Sequence, residues 1–156
     1  MTTTTPPAAV EIVLVEDNPA HVRLLREALR ESGRPTHVRV ARDGVEAMAM
    51  LDPATAAGSP PDLILLDLNL PRKDGREVLR DIKSDHRLKH IPVVVLTTSR
   101  AERDIASSYA LGANAVVTKP VDFDRFAEII RAVDLFWFQA ATLLRPTNGH
   151  ADLPVS

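Results

Sequence analysis

Residues 62–71 read Asp-Leu-Ile-Leu-Leu-Asp-Leu-Asn-Leu-Pro, with four consecutive aliphatic residues running into one carboxylate, Asp67. Prolines precede the stretch, and a Pro-Arg-Lys-Asp-Gly turn follows it. An apolar run this short, between turn signals, is typical of a strand buried on both faces. Asp67 then lies at the carboxyl end of the strand, where open α/β sheets bind their ligands. An aspartate in this place can also be a simple turn or helix cap, and the rest of the chain decides between the two interpretations.

Apolar runs and helical periodicity alternate along the rest of the chain. Further strands are predicted at residues 12–15, 36–41, 91–96 and 115–118, the second of them less buried than the others. Helices are predicted near residues 19–31, 45–51, 75–84, 102–111 and 122–144, and Ser99 with Glu102 has the spacing of a capping box for the fourth. Five strands alternating with five helices predict a parallel sheet covered on both faces, a three-layer α/β/α domain.

Length and composition limit the number of domains and the class of protein. The 156 residues allow one domain, predicted at residues 10–145, with a flexible lead at 1–9 and a flexible tail at 146–156. The net charge of −2 argues against a nucleic-acid partner. The first residues lack the features of a signal peptide, and the longest apolar runs are too short to span a bilayer. The chain has no cysteine, which fits a reducing compartment. We therefore expect a cytoplasmic protein with no membrane or nucleic-acid partner.

Polar residues stand at the carboxyl ends of four predicted strands: Glu16 and Asp17, then Asp67, Thr97 and Lys119. In a parallel sheet these ends lie side by side, and neighbouring carboxylates repel by roughly 4 kcal/mol per pair at 4 Å and an effective dielectric near 20. The carboxylates must therefore protonate, pair with Lys119 or bind a hard cation. Oxygen ligands without His or Cys favour Mg²⁺. A Mg²⁺ beside an aspartate, a lysine and a hydroxyl suits phosphoryl transfer to the carboxylate of Asp67.

The order of these motifs resembles the receiver domain of two-component response regulators. The similarity extends from residue 11 to about residue 144 and rests on four motifs: Val-Glu16-Asp17, Leu-Asp67-Leu-Asn-Leu-Pro71, Leu-Thr97-Thr98-Ser99 and Thr-Lys119-Pro120. The resemblance implies a flavodoxin-like (βα)5 fold, a doubly wound parallel sheet with strand order 2-1-3-4-5, and here an extended C-terminal helix. It also implies that a sensor histidine kinase is the partner.

The resemblance assigns a role to each matching residue. Asp67 would be the phosphoacceptor, Thr97 would hydrogen-bond the phosphoryl group, and Lys119 would pair with it. The ligands of Mg²⁺ would be Glu16, Asp17, Asp67 and the main-chain carbonyl of Asn69. The Lys119–Pro120 peptide bond would be cis.

Two further features bear on the resemblance. Receivers usually carry Tyr or Phe three residues before the lysine, as a switch that moves with the threonine, but this chain has Val116 there. Coupling would therefore run through Thr97 and the loop after it. The five histidines show no metal-ligand spacing, and His21, His86 and His90 are predicted at the surface.

The C-terminal helix carries three consecutive aromatic residues, Phe136, Trp137 and Phe138. Consecutive residues of a helix point in different directions, so one helix cannot bury all three against its own sheet. The cluster is either a hydrophobic plug folded back on the domain or an interface for a homodimer or a partner. This extension resembles the single-domain regulators that serve bacterial phytochromes and related histidine kinases.

We therefore expect a stand-alone response regulator that takes a phosphoryl group from a sensor histidine kinase, with a bacteriophytochrome as the candidate, onto Asp67. It would catalyse only its own phosphorylation and dephosphorylation and would form a homodimer through the aromatic helix. One alternative is a Mg²⁺-dependent phosphohydrolase with an aspartate nucleophile. Such enzymes need a second acid two residues after the nucleophile, where this chain has Asn69. The other alternative is a pseudo-receiver that serves only as a scaffold.

Overall fold

The computed structural model describes residues 9–31, 35–54, 60–120 and 122–140, the last three of these by their backbone alone. The predicted lead at 1–9, except Ala9, and the predicted tail at 146–156 lie outside these ranges. None of the helices in the described part of the chain is long and apolar enough to cross a bilayer.

Five parallel strands form one sheet in the order β2-β1-β3-β4-β5. The strands are β1 (Val10–Val15), β2 (Thr36–Ala41), β3 (Leu63–Asp67), β4 (Val93–Thr97) and β5 (Ala115–Thr118). The predicted fold class and strand order are confirmed. The strand that ends in Asp67 is central, with β1 on one side and β4 on the other, so the carboxyl ends of three neighbouring strands meet there.

Helices cover both faces of the sheet. They are α1 (Pro19–Glu31), α2 (Gly44–Leu51), α3 (Gly75–Ser84), α4 (Glu102–Ala110) and α5 (Phe123–Asp134). A π-helical turn, Leu135–Ala140, continues α5, and residues 141–144 of the predicted last helix lie outside the described ranges. The π-helical turn is the part of the last helix that the periodicity did not predict.

The hydrophobic core consists of two layers, one on each face of the sheet. Successive residues of β3 alternate between them: Ile64 and Leu66 join the α2 and α3 layer, and Leu63 and Leu65 join the α1 and α5 layer. All four are at most 1% exposed. This two-sided burial is the reason that the central strand is a continuous aliphatic run and does not alternate with polar residues.

Aspartate side chains cap three of the helices. Asp43, Asp74 and Asp122 accept hydrogen bonds from main-chain N–H groups in the first turns of α2, α3 and α5. The capping box predicted from Ser99 is wrong, because α4 begins at Glu102 after an Ala101 cap that makes no side-chain bond. The hydroxyl of Ser99 donates instead to Asp104 Oδ2 at 2.6 Å.

Candidate functional site

Four predicted site residues are buried at the carboxyl edge of the sheet. Glu16 and Thr97 are 1% exposed, Lys119 is 6% exposed and Asp67 is 7% exposed. Asp17 is exposed beside them. Charged residues are rarely buried unless they are paired or bind a metal, so the burial of this cluster requires compensating partners.

Three carboxylates converge at this edge as the sequence predicted. Glu16, Asp17 and Asp67 each place one oxygen so that the three atoms lie within 4.8 Å of one another. Hard divalent cations such as Mg²⁺ and Mn²⁺ take such oxygen ligands, so the donor set fits the predicted ion. Asn69, whose main-chain carbonyl is the predicted fourth ligand, follows in the next loop, and its N–H donates to Asp67 Oδ1 at 3.1 Å.

Lys119 supplies the positive charge of the cluster. Its Nζ atom donates to Glu16 Oε2 and, at 3.3 Å, to Asp67 Oδ2. Burial raises the pKa of Glu16 to about 7, although the hydrogen bond and the charge of Lys119 act to lower it. Desolvation of Glu16 therefore outweighs the attraction of the ammonium, and a cation at this edge would compete with a proton.

Thr97 lies at the end of β4, next to the strand that carries Asp67. The register pairs Asp67 with Leu96, which places Thr97 one residue beyond the carboxylate along the edge. Its Oγ1 accepts from the N–H of Ser99 at 3.1 Å, and its carbonyl accepts from the N–H of Lys119 at 2.7 Å. Thr97 therefore ties the loop after β4 to the end of β5.

The loop after β4 is also tied to the start of α3. Asp104 accepts from the hydroxyl of Ser99 and forms an ion pair with Arg76 at 3.2 Å. The hydrogen bond from Ser99 is the main reason that the pKa of Asp104 lies below its usual value. A movement of Thr97 would consequently be transmitted to α3 and α4, the helices that flank the site.

Gly75 is a site residue that the sequence analysis did not identify. A Cβ atom at this position would lie 2.3 Å from the carbonyl oxygen of Asp67 and 2.5 Å from the Cα of Leu68. The N–H of Gly75 donates to the carbonyl of Leu68 at 2.9 Å. The first residue of α3 thus packs directly on the main chain that carries Asp67. The signal in the sequence is the glycine eight positions after this aspartate.

His21 is the second site residue that was missed. It was predicted at the surface, but it is half-buried in the first turn of α1, with Nδ1 3.3 Å from Lys119 Nζ and 3.7 Å from Glu16 Oε2. Burial and the charge of Lys119 lower its pKa. Its ring contacts Phe126, with 5.9 Å between centroids. The signal was its position four residues after Asp17, on a helix that begins beside the predicted metal ligands.

One expectation taken from the resemblance is wrong, and one departure from the family can now be placed in the fold. No cis peptide bond occurs in the described residues, so the predicted cis bond between Lys119 and Pro120 is wrong; the bond is trans, the form that Xaa-Pro bonds prefer. Val116, which replaces the usual aromatic residue, packs against the α2 and α3 layer. Its N–H donates to the hydroxyl of Tyr109 on α4 at 3.2 Å.

The aromatic residues after α5 are divided between core and surface. Trp137 is half-buried and packs against the α1 and α5 layer, whereas Phe136 is 55% exposed. The two rings meet edge to face, with 4.8 Å between centroids. Leu135 is also 55% exposed. The side chain of Phe138, the third residue of the predicted interface, lies outside the described part of the structure.

Comparison with known families identifies one match. The family model described as "Response regulator receiver domain" matches residues 12–131. Among curated proteins, "Response regulator Rcp1" of Synechocystis sp. is 46% identical over 134 residues, which cover 85% of this chain and 91% of that protein.

Two solved structures have the same fold at substantial sequence identity. The phosphorylated cyanobacterial phytochrome response regulator RcpA is 52% identical, with a TM-score of 0.82, over 87% of this chain and 99% of that one. The Mn²⁺-bound form of Rcp1 is 43% identical, with a TM-score of 0.81, over 86% and 99% of the respective chains. These relatives have been seen with a phosphoryl group and with a divalent metal ion, respectively.

Proposed function

Because this chain belongs to the response regulator receiver domain family, we propose that Asp67 accepts a phosphoryl group from a phosphohistidine of a sensor histidine kinase. The observation that carries the proposal is the convergence of Glu16, Asp17 and Asp67 within 4.8 Å beside a buried lysine. A carboxylate nucleophile, a cation site and a fixed ammonium are the parts that phosphoryl transfer requires.

Asp67 acts as the nucleophile. One of its carboxylate oxygens attacks phosphorus while the N–P bond of the phosphohistidine breaks, and the leaving imidazole nitrogen takes up a proton. The product is an acyl phosphate on Asp67, which water later hydrolyses to aspartate and inorganic phosphate. The N–H of Asn69 at Oδ1 and the ammonium of Lys119 at Oδ2 hold the carboxylate in a fixed orientation for this attack.

Mg²⁺ is the proposed ion, held by Glu16, Asp17, Asp67 and the main-chain carbonyl of Asn69. When bound, it would neutralise charge on the oxygens of the transferring phosphoryl group. Lys119 pairs with the new phosphate, and the hydroxyl of Thr97 turns from the N–H of Ser99 to donate to it. The phosphoryl group carries about −1.5 to −2 charges at neutral pH in place of the single charge of the carboxylate, enough to draw both side chains inward.

We further propose a stand-alone, cytoplasmic regulator that serves a phytochrome-type kinase. The match covers 91% of Rcp1 and 99% of the RcpA chain in its solved structure, so little of either lies outside the matched region. RcpA is described as a phytochrome response regulator, which supports a bacteriophytochrome as the candidate kinase. Because histidine kinases use ATP, a cytoplasmic location is part of this proposal.

Self-association through the C-terminal segment is part of the proposal. Leu135 and Phe136 are consecutive residues, and each is 55% exposed. Exposed apolar clusters of this kind mark association sites. A homodimer would bury both side chains. The half-buried Trp137 behind them would anchor the segment to the domain.

The test is intact mass after incubation with acetyl phosphate and Mg²⁺. Wild type and Asp124→Asn, which alters an exposed aspartate of α5, should each gain one phosphoryl group and lose it on standing. Asp67→Asn should gain none. An adduct on Asp67→Asn, or no adduct on a wild type that demonstrably binds Mg²⁺, would refute phosphorylation at Asp67. Multiple turnovers on a generic phosphomonoester would favour the phosphohydrolase instead.

A further inference from the structure

The buried ammonium group of Lys119 has three hydrogens, and each needs an acceptor. The side chain is 4% exposed, which leaves little room for water. An ammonium donates three hydrogen bonds and accepts none, and a buried charged donor without an acceptor is costly. Two acceptors are carboxylate oxygens, Oε2 of Glu16 and, at 3.3 Å, Oδ2 of Asp67. The third hydrogen requires an acceptor of a different kind.

Nδ1 of His21 is the third acceptor that the described residues offer. It lies 3.3 Å from Lys119 Nζ, whereas Oε2 of Glu16 is 3.7 Å away, beyond hydrogen-bond length. Because an ammonium cannot accept a hydrogen bond, Nδ1 must present its lone pair to Lys119. The proton of the imidazole is then on Nε2, so this contact fixes both the charge and the tautomer of the ring.

The imidazole of His21 is itself held in place from two sides. It belongs to the first turn of α1, where Asn18 Oδ1 accepts from the N–H of Ala20 at 2.9 Å. The N–H of Asn18 donates to Glu16 Oε1 at 3.2 Å, which ties this turn to the end of β1. On the other side the ring contacts Phe126 of α5, which is 2% exposed. The acceptor atom therefore has a defined position relative to the carboxyl edge of the sheet.

A neutral acceptor affects the ammonium differently from a carboxylate. Each carboxylate compensates the positive charge of Lys119 and so competes with a phosphoryl group for it. The imidazole satisfies one N–H and leaves the charge uncompensated. A cation at the proposed metal site would draw Glu16 away from Lys119, and His21 would then be the partner that still holds the ammonium beside Asp67.

We propose that His21 is a positioning residue for phosphoryl transfer, whose Nδ1 holds the ammonium of Lys119 against Asp67 while the phosphoryl group arrives. His21 acts only through Lys119 and does not touch the phosphoryl group. The inference rests on the proposed function, because it concerns the rate at which Asp67 is phosphorylated. A fixed ammonium lowers the barrier because its orientation does not have to be found anew in each transfer.

Two substitutions of His21 separate its role as an acceptor from its packing. His21→Asn keeps an acceptor, an amide oxygen, but loses the ring that contacts Phe126. His21→Leu keeps an apolar contact with Phe126 but has no acceptor. The two roles therefore predict opposite orders of activity, since packing alone would favour the leucine variant and the hydrogen bond would favour the asparagine variant.

The measurement is the rate constant of phosphorylation by acetyl phosphate, which transfers its phosphoryl group to Asp67 and releases acetate. Intact mass follows the reaction at a Mg²⁺ concentration that titration shows to be saturating for each variant. His21→Leu should react about tenfold more slowly than wild type, as expected for the loss of one hydrogen bond to a charged group. His21→Asn should stay within about threefold of wild type. His86→Leu, at an exposed histidine, should react at the wild-type rate.

Long-range ¹H–¹⁵N correlation spectra of the labelled full chain with Mg²⁺ should show His21 with a proton on Nε2 and none on Nδ1. A proton on Nδ1, equal rates in wild type and His21→Leu, or equal losses in His21→Leu and His21→Asn would each overturn the inference. If His21→Leu does not fold, His21→Phe takes its place. A wild type that is not phosphorylated at all would refute the proposed function as well, whereas equal rates in phosphorylated variants overturn the role of His21 alone.

Discussion

Lys119 forms its shortest ion pair with Glu16, a carboxylate of the proposed metal site, while Asp67 lies second at 3.3 Å. The ammonium therefore occupies the place of a positive charge that a bound cation can take over. Once a cation neutralises Glu16, Lys119 would be available to the proposed phosphoryl group on Asp67. The pairing links the metal site to the acceptor through one side chain.

Removal of Lys119 should destabilise the protein and make it depend on metal. Lys119→Met leaves two buried carboxylates without a counter-charge, a change that typically costs about 3–5 kcal/mol. Urea unfolding in EDTA should report this loss, and saturating Mg²⁺ should restore more stability to the variant than it adds to wild type. Lys73→Met, which breaks a partly exposed pair with Asp81, should cost less than about 1 kcal/mol. Similar losses of stability in Lys119→Met and Lys73→Met would show that Lys119 is not an essential counter-charge.

The raised pKa of Glu16 predicts that stability falls as pH rises. The folded protein keeps a proton on Glu16 up to about pH 7, whereas the unfolded chain loses it near pH 4.5. The stabilisation is present in full below pH 4.5 and is lost between pH 4.5 and 7, and it amounts to about 3 kcal/mol by linkage. Urea titrations in EDTA from pH 4.5 to 8 should show a decline that Glu16→Gln lacks. A rise in stability over the same pH interval would contradict a raised pKa of Glu16.

The same proton should compete with the metal. Mg²⁺ requires an ionised Glu16, so its apparent affinity should be about tenfold weaker at pH 6 than at pH 8, one pH unit below and above a pKa of about 7. Calorimetry at pH 6.5 in two buffers of different ionisation enthalpy should detect proton release on binding. An affinity that does not change between pH 6 and 8 would show that Glu16 is ionised throughout.

A methyl group at Gly75 should disturb the acceptor through its main chain. Gly75→Ala places a Cβ 2.3 Å from the carbonyl oxygen of Asp67, so either the start of α3 or the end of β3 must shift. Overpacking of this kind costs about 1–3 kcal/mol and should also weaken Mg²⁺ binding. Arg80→Ala, at an exposed position of α3, should change stability by less than about 0.5 kcal/mol. Unchanged stability and unchanged metal affinity in Gly75→Ala would count against the close approach.

Substitutions of the two aromatic residues after α5 should affect stability and association separately. Trp137→Ala removes a half-buried ring from the α1 and α5 layer and should cost about 2 kcal/mol, less than a fully buried Trp. Phe136→Ala should change the free energy of unfolding by less than about 0.5 kcal/mol but shift sedimentation toward the monomer. Sedimentation of Phe136→Ala identical to wild type would remove this ring from the interface.

The polar residues at the strand ends could be predicted from the sequence because topology alone brings them together. Glu16, Asp67, Thr97 and Lys119 each follow an apolar run, and a parallel sheet places such positions at one edge. Gly75 and His21 could not be predicted from the sequence, for a physical reason. Their roles depend on how closely a helix approaches the main chain of β3 or the ammonium of Lys119, and periodicity contains no information about that distance.

Local rules failed where an element boundary moved by a residue or two. The Ser99 capping box required a helix that begins directly after Ser99, but α4 begins at Glu102 and leaves the hydroxyl free to reach Asp104. The aromatic segment shows the opposite case. Because one helix cannot bury consecutive rings, some of them were expected at the surface, but neither the ring that would be buried nor the π-helical turn that carries them was predicted.

The late position of Lys119 in the sequence has a consequence for protein synthesis. Lys119 lies 103 residues after Glu16 and 52 after Asp67 in the sequence, and each of the three residues belongs to the end of a different strand. A nascent chain released from the ribosome only as far as β4 carries all three carboxylates but lacks their ammonium partner. Until β5 emerges, the repulsion among the carboxylates can be relieved only by protons or by a cation from solution.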